Sequence, residues 1–369
     1  MRFTPRSHSL LLLATLLLQL GTVAAAAPSA PGAIEIGRGV TLWSEVLSES
    51  RPLQIHLPAS YETTRAHYPV LYLLDGDRNF LHALGAVEFL ASGGRIPEHI
   101  VVSIPNVDRT RDLTPCKQGG EPCGADRFLR FLQQELIPWV DKEYRTERFR
   151  TLVGHSRGGQ FAFYTLLNQP DAFNGYIAIS PALWINDAAI FGKAAAQLAK
   201  LPAQRFLYFS DGNESVEITA NVTRMVGVLE QQHPAALQWS HEHFGEDQHA
   251  TTPHKSLYNG LERIFSGLNV DREVILTQGL AGVDAHYARL EARYGFKIEP
   301  PRGMLEWMGY FLLQQDRPAA ALAFFERNVQ RFANEASAYE ALASGLDAVG
   351  RHEEAAAAYR KAYRRATHW

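Results

Sequence analysis

A G-x-S-x-G pattern around Ser156 offers the clearest chemistry in the chain. The pattern spans residues 154–158, follows the apolar residues 151–153 and precedes the helix-like residues 160–167. A serine at a sharp turn from strand to helix exposes its hydroxyl, and small neighbours let the chain reverse there. The pattern therefore predicts Ser156 as a nucleophile of the kind that forms an acyl-enzyme.

Two backbone N–H groups could stabilise the oxyanion that such a nucleophile generates. The N–H of Arg157 lies at the start of the helix that is predicted to follow Ser156, where the helix dipole is positive. A second donor commonly comes from the loop after the third strand, which here covers residues 74–78. We expect the N–H of Asp77 to be that donor, with Gly76 as the alternative.

A serine hydroxyl also needs a base, usually a histidine, to accept its proton. Among the downstream histidines, His249 lies in a loop between a predicted strand and the helix-like residues 256–265. We therefore predict His249 as the base and keep His254 as the alternative. His241 and His243 alternate along the preceding strand, and we interpret them as residues of a sheet face because no further ligands complete a metal site around them.

An acid must orient the imidazole, and three carboxylates compete for this role. All three follow the predicted strand at residues 205–209. We favour Glu214, which lies just beyond the turn at Gly212, over Asp211 and Glu217. The carboxylates that do not orient the base would be solvated loop charges or acids at a helix N-terminus.

The hydrophobic pattern predicts an α/β sheet that positions these residues. Helix-like and strand-like segments alternate up to about residue 268, and continuously apolar strands are typical of parallel strands covered on both faces by helices. Two earlier strands, near residues 41–46 and 53–57, have no helix between them and should form an antiparallel hairpin at the sheet edge. The continuously apolar segments are residues 70–74, 100–104, 151–153, 176–179 and 206–209.

From about Leu305 the chain becomes Ala-rich and repeats itself, within a predicted helical domain at residues 283–369. A period of 34 residues with alternating small and large positions is typical of tetratricopeptide helix pairs. Only two such units can be recognised, so we expect them to pack on the preceding helix. They could present a groove to a protein partner or cap the α/β domain at residues 35–268. The matching pairs are Gly309 and Ala343, Leu312 and Leu346, Arg317 and Arg351, Ala321 and Ala355, and Phe325 and Tyr359.

The N-terminus has the three parts of a secretory signal peptide. Arg2 and Arg6 precede an apolar run at residues 10–20, and small residues follow. The apolar run is about half as long as a membrane span requires. We therefore expect cleavage near Ala26, loss of residues 1–26, and a periplasmic or secreted product without stable membrane insertion.

The charge of the chain argues against nucleic acid as a partner. The formal net charge is −3, and loss of Arg2 and Arg6 changes it to −5. A surface with this charge does not attract polyanions.

The chain has two cysteines, Cys116 and Cys123, in a stretch that also contains Gly and Pro. An oxidising compartment favours their pairing. The alternative, a metal site, lacks other thiol or imidazole ligands nearby. We predict a short disulfide loop that pins a connection rather than supporting the core.

Taken together, these motifs resemble the putative esterase family of α/β-hydrolases, which includes the enterochelin (catecholate siderophore) esterases. The resemblance covers about residues 35–268. One departure is the segment with the two cysteines, which directly follows Pro115. The motifs are VLYLLDGD at residues 70–77, NVDRTRDLTP at 106–115, GHSRGG at 154–159, SPALW at 180–184, and His249.

The resemblance implies acyl-enzyme ester hydrolysis by Ser156 and His249, with an acid around Glu214 and with no metal or organic cofactor. The acid is less regular in this family, and some siderophore esterases look like Ser–His pairs alone. The role of Glu214 therefore stays open at this point.

The resemblance also implies residues that would contact the substrate. Trp184 would be a wall of the pocket, and Arg109 and Arg111 would present positive charge to an anionic acyl group. The alternatives are that Trp184 caps the core and that the two arginines form surface ion pairs.

We therefore predict a serine hydrolase that cleaves carboxylic esters, with a catecholate siderophore trilactone as the first small-molecule substrate class to test. An acyltransferase with the same triad is one alternative, since the sequence does not show whether water or an alcohol accepts the acyl group. A periplasmic interaction protein that binds a partner through the helical repeats is the other, although the intact pair of Ser156 and His249 argues against it.

Overall fold

An eight-stranded sheet lies at the centre of the fold. The structure is a computed structural model that describes residues 35–115, 124–185, 189–300 and 302–366. The described residues from Ile36 onward form one compact unit. The strands are β1, Arg38–Ser44; β2, Glu49–His56; β3, Tyr68–Leu74; β4, Ile100–Ile104; β5, Thr146–His155; β6, Gly175–Ile179; β7, Arg205–Gly212; and β8, Leu237–Phe244.

The strand order β1-β2-β4-β3-β5-β6-β7-β8 confirms the predicted α/β sheet. Strand β2 pairs antiparallel with both β1 and β4, whereas all pairs from β4 onward are parallel. The antiparallel hairpin therefore lies at one edge, as the missing helix between its strands predicts. The predicted strands at residues 100–104 and 176–179 differ from β4 and β6 by at most one residue at either end.

Helices connect the strands and continue beyond the last strand. A π-helical turn, Leu132–Leu136, separates the third helix from the fourth, and Pro138, which has no N–H to donate to the helix ladder, lies just after it. The helices are α1, Gly76–Ser92; α2, Arg109–Leu113; α3, Gly124–Phe131; α4, Ile137–Glu143; α5, Arg157–Asn168; α6, Ala189–Gln197; α7, Val216–Gln232; α8, Thr252–Ile264; α9, Arg272–Tyr294; α10, Arg302–Gln314; α11, Pro318–Arg331; α12, Ala336–Ala348; and α13, His352–Ala366.

Each central strand contributes to two hydrophobic cores, one on each face of the sheet. On β3, Val70 and Tyr72 pack in the core that α3, α5 and α7 cover. Leu71 and Leu73, which point the opposite way, pack in the core that α1, α8 and α9 cover. Because successive side chains of a strand alternate between the faces, burial of both faces explains why the central strands contain nearly continuous apolar runs.

The four C-terminal helices repeat with the predicted spacing. Helix α12 starts 34 residues after α10, and α13 starts 34 residues after α11. The ring of Phe325 lies against Gly309 on one side and Gly345 on the other, since an added Cβ would come within 2.3 Å of the ring at Gly309 and 2.5 Å at Gly345. The helices therefore match the period, and their assignment as tetratricopeptide repeats stays a prediction.

Aromatic side chains join this helical region to the sheet. Tyr294 and Phe296, at and beyond the end of α9, each lie 5.7 Å from the ring of Phe149 on β5. Tyr294 also lies 5.4 Å from Phe206 on β7, and Phe265 lies 5.2 Å from Phe149. The end of α9 thus completes the hydrophobic core on this face of the sheet.

Two sequence predictions concern residues outside the described ranges. The signal peptide at residues 1–26 and the disulfide between Cys116 and Cys123 both lie there, and both stay predictions. Within the described ranges, no helix is both long and apolar enough to span a membrane.

Candidate active site

Ser156 lies at the turn between β5 and α5, as the G-x-S-x-G pattern predicts. Its backbone has φ 60° and ψ −114°, and a positive φ is uncommon for a residue with a side chain. The strand passes so close to the new helix that a Cβ at Gly154 would lie 2.2 Å from the carbonyl oxygen of Gly158. The N–H of Ser156 donates to the carbonyl of Ile179 over 2.8 Å, which fixes the turn against β6.

His249 and Glu214 form the second part of the site. His249 Nδ1 donates to Glu214 Oε2 over 2.6 Å, and the Glu214 side chain is buried. The other carboxylate oxygen, Oε1, accepts from Ser180 Oγ over 2.5 Å and from the N–H of Gly212 over 2.9 Å. Both oxygens are therefore fixed, and Nε2 is the nitrogen of His249 that remains available as a base.

Three hydrogen bonds keep Glu214 ionised. Burial opposes the charge and raises the pKa of this carboxyl group, but the hydrogen bonds from His249, Ser180 and the N–H of Gly212 outweigh burial, and the pKa lies below its ordinary value. An ionised carboxylate can orient the imidazole and stabilise the imidazolium that forms when the base takes a proton.

His155 links the loop of His249 to the turn that carries Ser156. The two imidazole rings lie 4.5 Å apart, and His155 Nε2 donates to the backbone carbonyl of His249 over 2.8 Å. Thr252 Oγ1 donates to the same carbonyl over 3.2 Å. Among the described residues, the hydrogen bonds of Ser156 all involve its backbone. A catalytic hydrogen bond between a serine hydroxyl and an imidazole commonly tightens only when substrate binds.

The two predicted oxyanion donors lie at the N-termini of two helices. Asp77 is the second residue of α1 and Arg157 is the first residue of α5, so neither N–H has a partner within its own helix. Asp75, which precedes α1, has a positive φ of 54°, and its Oδ2 lies 3.3 Å from where a Cβ would be at Gly158. The two helix N-termini are therefore close together, and the donor roles stay predictions.

Arg109 and Arg111 both have carboxylate partners. Arg109 forms a two-point ion pair with Asp75 at 2.5 and 2.9 Å and also donates to the carbonyl of His155 over 3.2 Å. Arg111 binds Glu49 at 2.6 and 3.0 Å. Both positive charges are balanced within the protein, and a role in substrate binding stays a prediction for both residues.

The other two candidate acids lie apart from the base. Asp211 is buried on β7 and accepts from His241 Nε2 over 2.8 Å and from His243 Nδ1 over 3.0 Å. Glu217 is an exposed acid in the first turn of α7, where it complements the helix dipole. Among the three candidates, Glu214 is the one that the structure brings to the predicted base.

Two further predicted residues lie near the site. Trp184 follows β6 in a segment that contacts the turn, since the N–H of Ala182 donates to the carbonyl of Ser156 over 3.0 Å. The Trp184 side chain packs partly against the core, and its role as a pocket wall stays a prediction. His254, the alternative base, lies on α8 with its ring 5.7 Å from that of His82.

Sequence reasoning missed two residues of the site, Ser180 and His155. Ser180 binds the acid, and His155 binds the backbone of the base. Ser180 opens the SPALW motif and His155 lies within the G-x-S-x-G pattern. Membership of these two motifs is the sequence signal that could have identified Ser180 and His155.

The strand order and the turn at Ser156 define the α/β-hydrolase fold. The same fold occurs in an IroE-like serine hydrolase from Shewanella oneidensis, with a TM-score of 0.70, 28% sequence identity, and coverage of 80% of this chain and 99% of that one. The family described as Putative esterase matches residues 44–250. The chain belongs to this family.

Curated relatives match the same region. The chain is 32% identical over 199 residues to the ferri-bacillibactin esterase of Bacillus subtilis, covering 47% of this chain and 63% of that protein. It is 30% identical over 198 residues to the siderophore enterobactin esterase of Emericella nidulans, covering 45% of this chain and 64% of that protein. The chain therefore spans less than two thirds of the length of either relative.

Proposed function

We propose that the protein is a carboxylic-ester hydrolase that works through an acyl-enzyme on Ser156. The observation that carries this proposal is the 2.6 Å hydrogen bond from His249 Nδ1 to the buried Glu214. The His249 ring lies 4.5 Å from the ring of His155, the residue that precedes Ser156, and Ser156 has a positive φ. A nucleophile, a base and an orienting carboxylate in this arrangement suit acyl transfer.

The reaction would proceed in two halves. Ser156 Oγ attacks the ester carbonyl while His249 Nε2 takes its proton, and the negative oxygen accepts hydrogen bonds from the N–H groups of Arg157 and Asp77. The C–O bond to the alcohol then breaks, and the imidazolium gives its proton to the leaving alkoxide. Water, deprotonated by the same imidazole, attacks the acyl-enzyme, and release of the acid restores the Ser156 hydroxyl.

Siderophore esters are the substrate class that we propose first. The support comes from the names of the relatives, which are esterases for ferri-bacillibactin and enterobactin. The signal peptide predicted at residues 1–26 supports a periplasmic or secreted location.

We also propose that α10 to α13 form two tetratricopeptide-like helix pairs that could bind a protein partner. The 34-residue offset between equivalent helices supports this assignment, as does the close contact of Phe325 with Gly309 and Gly345.

The catalytic proposal is tested by labelling the purified protein with a fluorophosphonate probe. Wild type should be labelled and should hydrolyse both a simple acyl ester and a catecholate trilactone. Ser156→Ala should lose labelling and both hydrolytic activities while it keeps the wild-type circular dichroism spectrum. Unlabelled wild-type protein, or an alanine variant that still hydrolyses both esters, would contradict the proposal.

A further inference from the structure

Three arginines lie near the turn of the nucleophile, and they differ in how their charges are balanced. Arg109 and Arg111 each bind a carboxylate at two points. Arg157, the residue after Ser156, has no carboxylate partner in the part of the chain that the structure describes. Its guanidinium donates to the hydroxyl of Thr114 over 2.7 Å, which satisfies one donor but supplies no negative charge; among the described residues, no carboxylate compensates the charge of Arg157.

The surroundings of Arg157 destabilise its positively charged guanidinium. The side chain is partly buried, and burial, with repulsion from the nearby guanidinium of Arg109, lowers the pKa of Arg157. An arginine nevertheless stays protonated in a protein. A half-buried cation without a counter-charge gains more from an incoming anion than one that is already paired.

The position of Arg157 determines which part of a substrate can meet it. The backbone N–H of Arg157 is the proposed oxyanion donor. The side chain of Arg157 therefore begins beside the place where the reacting carbonyl would lie. In the proposed reaction the acyl group is bonded to Ser156 in the acyl-enzyme until water releases it, whereas the alcohol leaves in the first half. The N–H of Ala182, two residues before Trp184, donates to the carbonyl of Ser156 over 3.0 Å, so the backbone of this segment lies beside the same turn.

We propose that the side chain of Arg157 is a specificity-determining residue that binds a negatively charged group on the acyl part of the ester. This inference rests on the proposed ester hydrolysis. The inference assigns recognition of the acyl group to Arg157 instead of Arg109 and Arg111. The charges of Arg109 and Arg111 are neutralised by carboxylates of the protein, whereas Arg157 has no carboxylate partner among the described residues.

The test compares two esters that differ only in charge. The 4-nitrophenyl monoester of adipic acid carries a free carboxylate, and its methyl-capped analogue is neutral. The measured quantity is the ratio of kcat/KM for the anionic ester to kcat/KM for the neutral one. Because the ratio is taken within each variant, a change in oxyanion stabilisation affects both esters and cancels.

Arg157→Met should lower this ratio about tenfold, the typical effect of one charge-assisted hydrogen bond, and Arg157→Gln should act in the same direction. Arg157→Lys should keep most of the wild-type ratio. Arg130→Met removes an equally positive, exposed side chain on α3 and should leave the ratio at its wild-type value. High salt should lower the wild-type ratio by screening the contact.

An unchanged ratio in Arg157→Met and Arg157→Gln, with hydrolysis of both esters still measurable, overturns this inference and leaves the proposed function standing. Wild-type protein that hydrolyses neither ester and resists the fluorophosphonate probe overturns both. Should neither charge-removing variant fold by circular dichroism, a wild-type ratio that does not respond to salt overturns the inference.

Discussion

The imidazole of His155 donates a hydrogen bond over 2.8 Å to the backbone carbonyl of His249. Burial, with the neighbouring His249, lowers the pKa of His155 to about 4, so the ring is neutral near pH 7 and keeps Nε2–H as the donor. The residue before the nucleophile thereby holds the main chain of the base. His155 is a positioning residue, since the hydrogen bond acts on the backbone of His249 rather than on the reacting atoms.

Replacing His155 should slow the reaction without much effect on substrate binding. His155→Phe keeps an aromatic ring beside His249 but removes the donor, and we expect kcat to fall up to about tenfold, the worth of one neutral hydrogen bond, with KM nearly constant. His155→Gln, which can still donate, should recover part of kcat. Steady-state kinetics on a simple ester measure both values. Equal kcat for the Phe variant and wild type would show that this bond does not position the base.

Removing the charge of Glu214 should be much more damaging. Glu214→Gln replaces an acceptor of the His249 Nδ1–H by an amide that can favour the wrong imidazole tautomer, and we expect kcat to fall about 100- to 10,000-fold. Glu217→Gln, an exposed acid three positions along the chain, is the matched control and should retain nearly all activity. Similar kinetics for the two variants would mean that the protein works as a Ser–His pair.

His99 should make the protein sensitive to acid. It is fully buried, its Nδ1 donates to the carbonyl of Pro97 over 2.6 Å, and burial lowers its pKa from 6.5 to about 4. Between these two pH values the unfolded chain binds a proton that the folded protein does not. The free energy of unfolding should therefore decrease as the pH falls from about 6.5 to about 4, by about 1.4 kcal/mol per pH unit from this residue.

His99→Phe removes this titration and keeps a ring against Phe265, whose centroid lies 5.0 Å away. Urea unfolding at a series of pH values should show a shallower loss of stability for the variant between pH 6.5 and 4. Identical slopes for variant and wild type would rule out a contribution from His99. His82 and His155, whose pKa values also fall to about 4, should preserve part of the slope in both proteins.

Replacement by alanine should have opposite effects on the free energy of unfolding at two helical glycines. A Cβ at Gly309 would meet the ring of Phe325 at 2.3 Å, so Gly309→Ala should lower the free energy of unfolding by about 1–3 kcal/mol through overpacking. Gly227 on α7 faces open space, so Gly227→Ala should raise it by about 0.5–1 kcal/mol through helix propensity. Denaturant titrations provide both values. A neutral Gly309→Ala would mean that Phe325 can move away at little cost.

The nucleophile turn and the strands could be predicted because their signals are local in the chain. Continuous apolarity follows from burial of both sheet faces, and the strand, G-x-S-x-G pattern and helix occur within a short stretch around Ser156. His249 could be chosen from its loop after the last strand. The acid could be narrowed only to residues 211–217, from the end of β7 to the first turn of α7, because three carboxylates lie within those residues.

Contacts between distant segments could not be predicted in the same way. The register of β7 and β8 places His243 opposite Asp211, and this pairing occupies the carboxylate that was second choice for the acid. The ion pair of Arg109 with Asp75 joins the start of α2 to the residue before α1, and neither the hydrophobic period nor the charge spacing relates these two positions. Such partners are set by strand register and loop packing, which arise only once the whole sheet has assembled.

The aromatic contact between α9 and the sheet has a consequence for any shortened form of this protein. Phe149 lies on the strand that leads into Ser156, and part of its apolar cover comes from Tyr294 and Phe296. A chain cut after residue 268 would expose the rings of Phe149 and Phe206 to water and would leave an apolar, less stable surface on the strand that carries the Ser156 turn at its end. The smallest fragment worth isolating therefore extends past Phe296.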